Sequence, residues 1–160
     1  MLISVSCIAW GAVKSMECSK RINSLEAARE MLMTLTQRLS FTLASTKQLL
    51  HELAVCGRFK KCKYLYSVLE LCENTDLENA WKTAVKQSEQ AFEEADIELL
   101  CTVGSILGKS DLQTQQGQLE MLMQQIDGAV KSAKEQREQK QKLYLTLGTL
   151  GGIMAAIILI

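Results

Sequence analysis

The chain contains no proline in 160 residues, although average usage would supply about eight. Proline breaks helix interiors and marks many turns, so its absence favours long, uninterrupted helices. Glycine is also sparse, with nine residues in the whole chain. The sequence therefore predicts an all-α protein, and its length suits one main core.

The last eighteen residues, 143–160, read LYLTLGTLGGIMAAIILI and carry no charged side chain. As a helix they would rise about 27 Å, close to the roughly 30 Å thickness of a bilayer's hydrocarbon layer. Tyr144 stands where an aromatic anchor is common. A core helix of a soluble protein would need a polar face, which this run lacks, so a C-terminal transmembrane helix is predicted.

The first thirteen residues, MLISVSCIAWGAV, are also uncharged but reach only about 20 Å as a helix. A signal peptide, an interfacial or buried helix and a short membrane crossing are all open interpretations. The signal-peptide interpretation is weakened because no lysine or arginine precedes the apolar run. We favour a short crossing over residues 1–14, with Lys14 reaching back to the inner interface.

Positive charges predict how these segments would be oriented in a membrane. They follow the first apolar run and precede the second, at Lys14, Lys20, Arg21, Lys134, Arg137, Lys140 and Lys142. Cytoplasmic flanks of membrane helices are enriched in lysine and arginine. Residues 15–142 are therefore expected to form a cytosolic domain.

Apolar periodicity predicts that this domain is a bundle of about six helices. Asn23 with Glu26 resembles a helix start. The stripe that follows recurs at helical spacing and comprises Leu25, Ala28, Leu32, Leu35, Leu39 and Thr42. The last helix is predicted to run unbroken from the bundle into the C-terminal membrane helix.

Capping residues and glycines mark the other helix boundaries. They are a start after Thr46, a stop at Gly57, a start at Thr75–Glu78, a stop at Gly108 and a start at Ser110–Gln113. The expected inward residues of the four middle helices are Leu49, Leu50, Leu53, Cys56, Leu65, Val68, Leu69, Cys72, Leu77, Ala80, Trp81, Ala84, Phe92, Leu99, Leu100, Val103 and Leu107. Among them Trp81 is the predicted aromatic anchor of the core.

Net charge is zero, which gives no indication of a nucleic-acid partner. The most concentrated charge is Arg58-Phe59-Lys60-Lys61-Cys62-Lys63, which we call the basic loop. It could bind an acidic protein surface, contact anionic lipid headgroups or only keep a turn soluble. A second candidate contact, the stalk group, comprises Lys131, Lys134 and Arg137 on the last helix, for which a solvated face is the plainer interpretation.

Motifs for catalysis or metal binding are missing from the sequence. There is no phosphate-binding glycine loop, H-E-x-x-H or nucleophile elbow. The lone His51 is expected at the surface, and Glu93, Glu94 and Asp96 are expected to point to different helix faces. The six cysteines contain no C-x-x-C pair, and reduced buried thiols are favoured over disulfides. We therefore expect no enzyme activity, cofactor or metal.

Several short motifs in a characteristic order resemble one known family. They are Asn79-Ala80-Trp81, Leu107-Gly108-Lys109-Ser110-Asp111 with Gln115-Gln116, and the ending from Lys142-Leu143-Tyr144 to Leu150-Gly151-Gly152-Ile153. In their order and spacing the chain resembles the stage III sporulation protein AB family over its whole length. It differs from that family mainly in its short first apolar segment.

The resemblance implies a role in endospore formation. Such proteins sit in the mother-cell membrane around the forespore, with their soluble domain in the mother-cell cytosol, as part of a secretion-like complex. That domain is similar to platform protein F of type II secretion and platform protein C of type IV pili. The resemblance also implies coupling of a cytosolic ATPase, stage III sporulation protein AA, to the envelope channel together with other membrane proteins of the complex. A tail-anchored adaptor unrelated to secretion is the alternative, and a membrane-bound enzyme is the third.

Overall fold

A computed structural model describes the backbone of residues 2–41, 45–88, 91–109 and 112–159. It describes the side chains of residues 18–40, 45–88, 91–107, 114–143 and 146. The helices are α1 (Leu2–Phe41), α2 (Thr46–Val55), α3 (Tyr64–Leu71), α4 (Leu77–Gln87), α5 (Glu94–Lys109) and α6 (Leu112–Leu159). All regular elements in these ranges are helical, which confirms the predicted all-α class.

The two longest helices, α1 and α6, form an antiparallel pair with the most extensive contact in the bundle. Lys134 Nζ lies 2.7 Å from Glu26 Oε1, and Arg29 pairs with Asp127. The two helices therefore run in opposite directions. The four shorter helices connect the end of α1 to the start of α6. They pack in chain order, each against the next.

The predicted helix start at Asn23 is wrong. Helix α1 passes through this position without a break, with 40 residues from Leu2 to Phe41. Ile22 and Leu25 are both buried, so the apolar stripe already exists before the expected start. A local capping preference contributes about 1 kcal/mol and does not end a helix whose packing face continues.

Most of the predicted inward residues are buried, including the stripe of α1 up to Leu39. Thr42 lies outside the described residues. Cys56 was placed wrongly, because α2 ends at Val55 and the exposed Cys56 is already its C-cap. The expected stop at Gly57 is confirmed by its left-handed backbone, with φ of 70°, a conformation that glycine adopts without steric cost.

Helix α4 starts one residue later than the predicted capping box. Asp76 is the N-cap, and its carboxylate accepts hydrogen bonds from the backbone N–H of Asn79 at 3.3 Å and from Asn79 Nδ2 at 2.7 Å. These hydrogen bonds, that of the Asn79 side chain first, lower the pKa of Asp76. Glu78 pairs with Lys82 at 2.7 Å.

The centre of the core lies where α3, α4 and α5 meet around Trp81. This side chain is fully buried, and its Nε1–H donates to the carbonyl of Leu100 at 2.8 Å. The ring of Tyr64 packs edge-on against it, with centroids 5.8 Å apart. Gly104 on α5 makes room for this arrangement, because a Cβ built there would lie 2.7 Å from Trp81 Cβ.

Gly104→Ala is therefore expected to destabilise the bundle, although alanine is the better helix former. Overpacking a core typically costs about 1–3 kcal/mol, against a helix-propensity gain of about 1 kcal/mol. Gly128→Ala is the matched control, since a Cβ there meets nothing within 4 Å. Chemical denaturation should show Gly104→Ala losing stability and Gly128→Ala gaining it. Equal gains in both variants would contradict the close packing of α4 and α5.

Neither predicted membrane segment falls within the described side chains. Residues 1–13 lie outside them entirely, and of 143–160 only Leu143 and Thr146 lie inside. No helix in the part of the chain searched combines the length and the apolar character needed to cross a bilayer. The unbroken last helix is confirmed by α6, with 48 residues, while the expected start residues Ser110 and Asp111 lie outside the described ranges.

Candidate functional site

The basic loop forms the connection between α2 and α3 and is fixed by its two apolar members. Phe59 is 4% exposed and Cys62 is fully buried. Burial raises the pKa of the Cys62 thiol to about 11, so it stays protonated at neutral pH. The loop therefore holds its cations on a packed segment rather than on a free tether.

Three lysines of the basic loop, Lys60, Lys61 and Lys63, are exposed. Arg58 points back to the bundle, where its guanidinium pairs with Glu30 on α1 and lies 5.8 Å from the ring centre of Phe59. An exposed ion pair of this kind contributes about 0–1 kcal/mol. Arg58 thus positions the loop, and the three lysines lie on its exposed surface.

The stalk group is split by the structure. All three side chains are exposed, but Lys134 forms an ion pair across to Glu26 of α1, whereas Lys131 and Arg137 lie on α6 away from that pair. Glu26 stands one helical turn before Glu30, the partner of Arg58. The basic loop and the stalk group therefore reach neighbouring positions of α1, beside a shallow cavity of about 360 Å³.

A buried ion pair that sequence analysis missed joins α1 to the start of α5. Arg21 donates from Nε and Nη2 to the two carboxylate oxygens of Asp96, at 2.8 and 3.0 Å. Arg21 Nη1 also lies 2.6 Å from Glu93 Oε1 and 3.4 Å from Gln136 Oε1 of α6. We call these four residues the polar clasp. Asp96 is 1% exposed and Arg21 is 11% exposed.

The polar clasp corrects the expectation that Glu93 and Asp96 point to different faces. Asp96 Oδ2 accepts the backbone N–H of Glu93 at 2.9 Å, which caps the first turn of α5. Hydrogen bonding to Asp96 raises the pKa of Arg21. The signal in the sequence was the spacing of three between Glu93 and Asp96, which is that of a capping pair, but no local pattern indicates Arg21 as its partner.

A groove of about 630 Å³ separates α2 from α3. His51 lies exposed on its α2 side, as expected for a surface residue, and Lys47 donates to the carbonyl of Cys72 at 3.4 Å. Among the described side chains, no cluster of three or more His, Cys, Asp or Glu could hold a metal ion. The five described cysteines, Cys18, Cys56, Cys62, Cys72 and Cys101, are free.

A family model for stage III sporulation protein AB matches residues 1–160, which is the whole chain. The chain belongs to the stage III sporulation protein AB family. Membership assigns it to stage III of sporulation and agrees with the family indicated by the motifs around Trp81 and Leu107. No curated protein and no solved structure gives a significant match.

Proposed function

We propose that this protein is a non-enzymatic membrane platform of a sporulation-specific secretion-like complex. Its helical bundle would face the mother-cell cytosol and couple the ATPase, stage III sporulation protein AA, to the envelope channel. The full-length family match carries the sporulation role. The fixed cationic surface of the basic loop supports a contact with a cytosolic partner.

The antiparallel pairing of α1 with α6 supports anchoring by both apolar ends. Lys140 Nζ lies 3.7 Å from Cys18 Sγ, so the start of α1 and the end of α6 point to the same end of the bundle. The uncharged residues 1–13 and 143–160 would then leave the bundle side by side. A bundle joined to two adjacent crossings is a rigid way to hold a cytosolic surface at a fixed height above a membrane.

The distance of the basic loop from the membrane favours a protein over lipid as its partner. Its Arg58 pairs with Glu30, which lies sixteen residues beyond Lys14 on a continuous helix, or about 24 Å along the axis. Electrostatic attraction between exposed charges is largely screened beyond about 8 Å at physiological salt. A loop at this height would be too far from headgroups to be drawn to them, whereas a cytosolic ATPase could reach it.

Recruitment of the ATPase to membranes tests this proposal. Co-expression with this chain is expected to move stage III sporulation protein AA from the soluble to the membrane fraction. Reversing Arg58, Lys60 and Lys61 to glutamate is expected to return most of it to the soluble fraction, because the basic loop then repels an acidic surface.

The matched control reverses Lys131, Lys134 and Arg137, which changes the net charge by the same amount on the stalk group. Recruitment should survive this change. Loss with the stalk variant alone would move the docking surface to α6. An ATPase that stays soluble with the unmodified chain would contradict the coupling role and leave the adaptor alternative.

A further inference from the structure

Helix α3 and the residues that flank it carry an exposed stripe with opposite charges at its two ends. Lys63 directly precedes α3, Tyr66 and Glu70 lie one turn apart on the helix, and Glu73 lies in the turn two residues after its end. All four are exposed. The stripe therefore runs from a basic end, through an aromatic ring, to an acidic end that begins at Glu70, about 10 Å away.

The aromatic centre of this stripe is held in place. The hydroxyl of Tyr66 donates to the carbonyl of Ala54 at 2.7 Å, which fixes the ring against the end of α2. Tyr66 is nevertheless 49% exposed, and the neighbouring Val55 is 65% exposed. Two large apolar side chains thus face solvent beside the groove between α2 and α3. Lys47, the cation on the far wall of the groove, already donates to a backbone carbonyl.

We propose that this stripe is an interaction surface for the same stripe of a second copy of the chain. A two-fold axis near Tyr66 would run the two α3 helices antiparallel. Lys63 of each copy would then face Glu70 of the other. The two Tyr66 rings and Val55 would fill the centre.

The order of the charges along the stripe favours a second copy of the chain as its partner. A two-fold interface needs a surface complementary to itself, and a stripe with a cationic end, an apolar centre and an anionic end has this property when it is turned around. An acidic partner would match only the basic loop, whereas a second copy would also match the acidic end at Glu70 and Glu73. The surface is small, and confining both copies to one membrane would raise their effective concentration. The inference needs no contact with the ATPase, so it can fail or hold independently of the platform role.

Disulfide trapping of the full chain in membranes tests the two-fold contact. The background variant replaces Cys7, Cys18, Cys56 and Cys72 with serine and keeps the buried Cys62 and Cys101. Ser67→Cys, next to the proposed axis, is expected to give a covalent dimer on oxidation. Thr102→Cys, exposed on α5, is the control and should remain a monomer. Equal dimer yields at both positions, or none at residue 67, would overturn the proposal.

Charge reversal then tests the register. In the Ser67→Cys chain, Lys63→Glu is expected to lower the initial trapping rate about fivefold, because two like-charge pairs replace two attractive ones. Adding Glu70→Lys to the same chain restores opposite charges across the axis and should restore the rate. A double variant that traps as slowly as Lys63→Glu would overturn the pairing of Lys63 with Glu70.

Discussion

Replacing Trp81 with alanine is expected to remove about 3–5 kcal/mol of stability, the usual cost of emptying a buried aromatic site. The side chain is fully buried and contacts Tyr64, Gly104 and the carbonyl of Leu100. Because total stabilities are about 5–15 kcal/mol, this is a large share. Thermal unfolding of the full chain in mild detergent, followed by circular dichroism, should show the bundle melting about 6–20 °C lower.

Tyr66→Ala is the matched control, since it removes an aromatic ring that is half exposed. It should cost about 1 kcal/mol, mainly through its hydrogen bond to the carbonyl of Ala54. Trp81→Phe should fall between the two, because it keeps most of the buried volume but loses part of the ring system and the N–H donor. A Trp81→Ala variant that melts like Tyr66→Ala would mean that the helices do not close around this residue.

The second large effect is expected at the polar clasp. Asp96→Ala leaves the guanidinium of Arg21 without its bidentate partner and removes a cap from α5. Breaking one side of a buried ion pair typically costs 3–5 kcal/mol. We expect about 3 kcal/mol here, the lower end of that range, because Glu93 still pairs with Arg21.

The double variant Arg21→Met with Asp96→Leu distinguishes the cost of an unpaired buried charge from the cost of changing the side chains at this site. Apolar replacement of both partners of a buried pair is often neutral or stabilising, so most of the loss should be recovered. Glu94→Ala, at an exposed carboxylate two residues before Asp96, is the control and should stay within about 0.5 kcal/mol of the unmodified chain. Denaturant titration measures all four chains. A double variant that is less stable than Asp96→Ala would contradict a role for charge pairing at this site.

Local patterns in the sequence predicted the helices well, because the formation and the end of a helix depend mainly on residues that are close together in the chain. The three-and-four spacing from Leu25 to Leu39 requires only a helix with one buried face, and that face is buried. Gly57 ends α2 because a left-handed residue is needed there. The wrongly predicted start at Asn23 shows the limit of the same reasoning, since the packing of α1 against α6 overrides a weak cap.

Contacts between distant segments could not be predicted in this way. Arg21 and Asp96 are 75 residues apart, and the pairing of Arg58 with Glu30 depends on how α2 turns back along α1. The basic loop was visible as a charge cluster, but the burial of Phe59 and Cys62 that fixes it comes from the tertiary fold. The family was recognisable because its motifs keep their order along the chain.

We propose that apolar helices hold this bundle at a membrane with residues 15–142 in the cytosol. Cys56 is the best natural reporter, because it is exposed at the end of α2, whereas Cys62 and Cys101 are buried. The decisive measurement is labelling with a membrane-impermeant maleimide in a growing bacterial host, where no forespore membrane hides the protein. A Cys56→Ser chain gives the background.

We expect the chain to stay in the membrane pellet after alkaline extraction. We also expect Cys56 to be labelled only after the cells are permeabilised. Labelling of Cys56 in intact cells would place the bundle on the wrong side of the membrane. Release of the chain into the soluble fraction would remove the anchor, and the platform role with it.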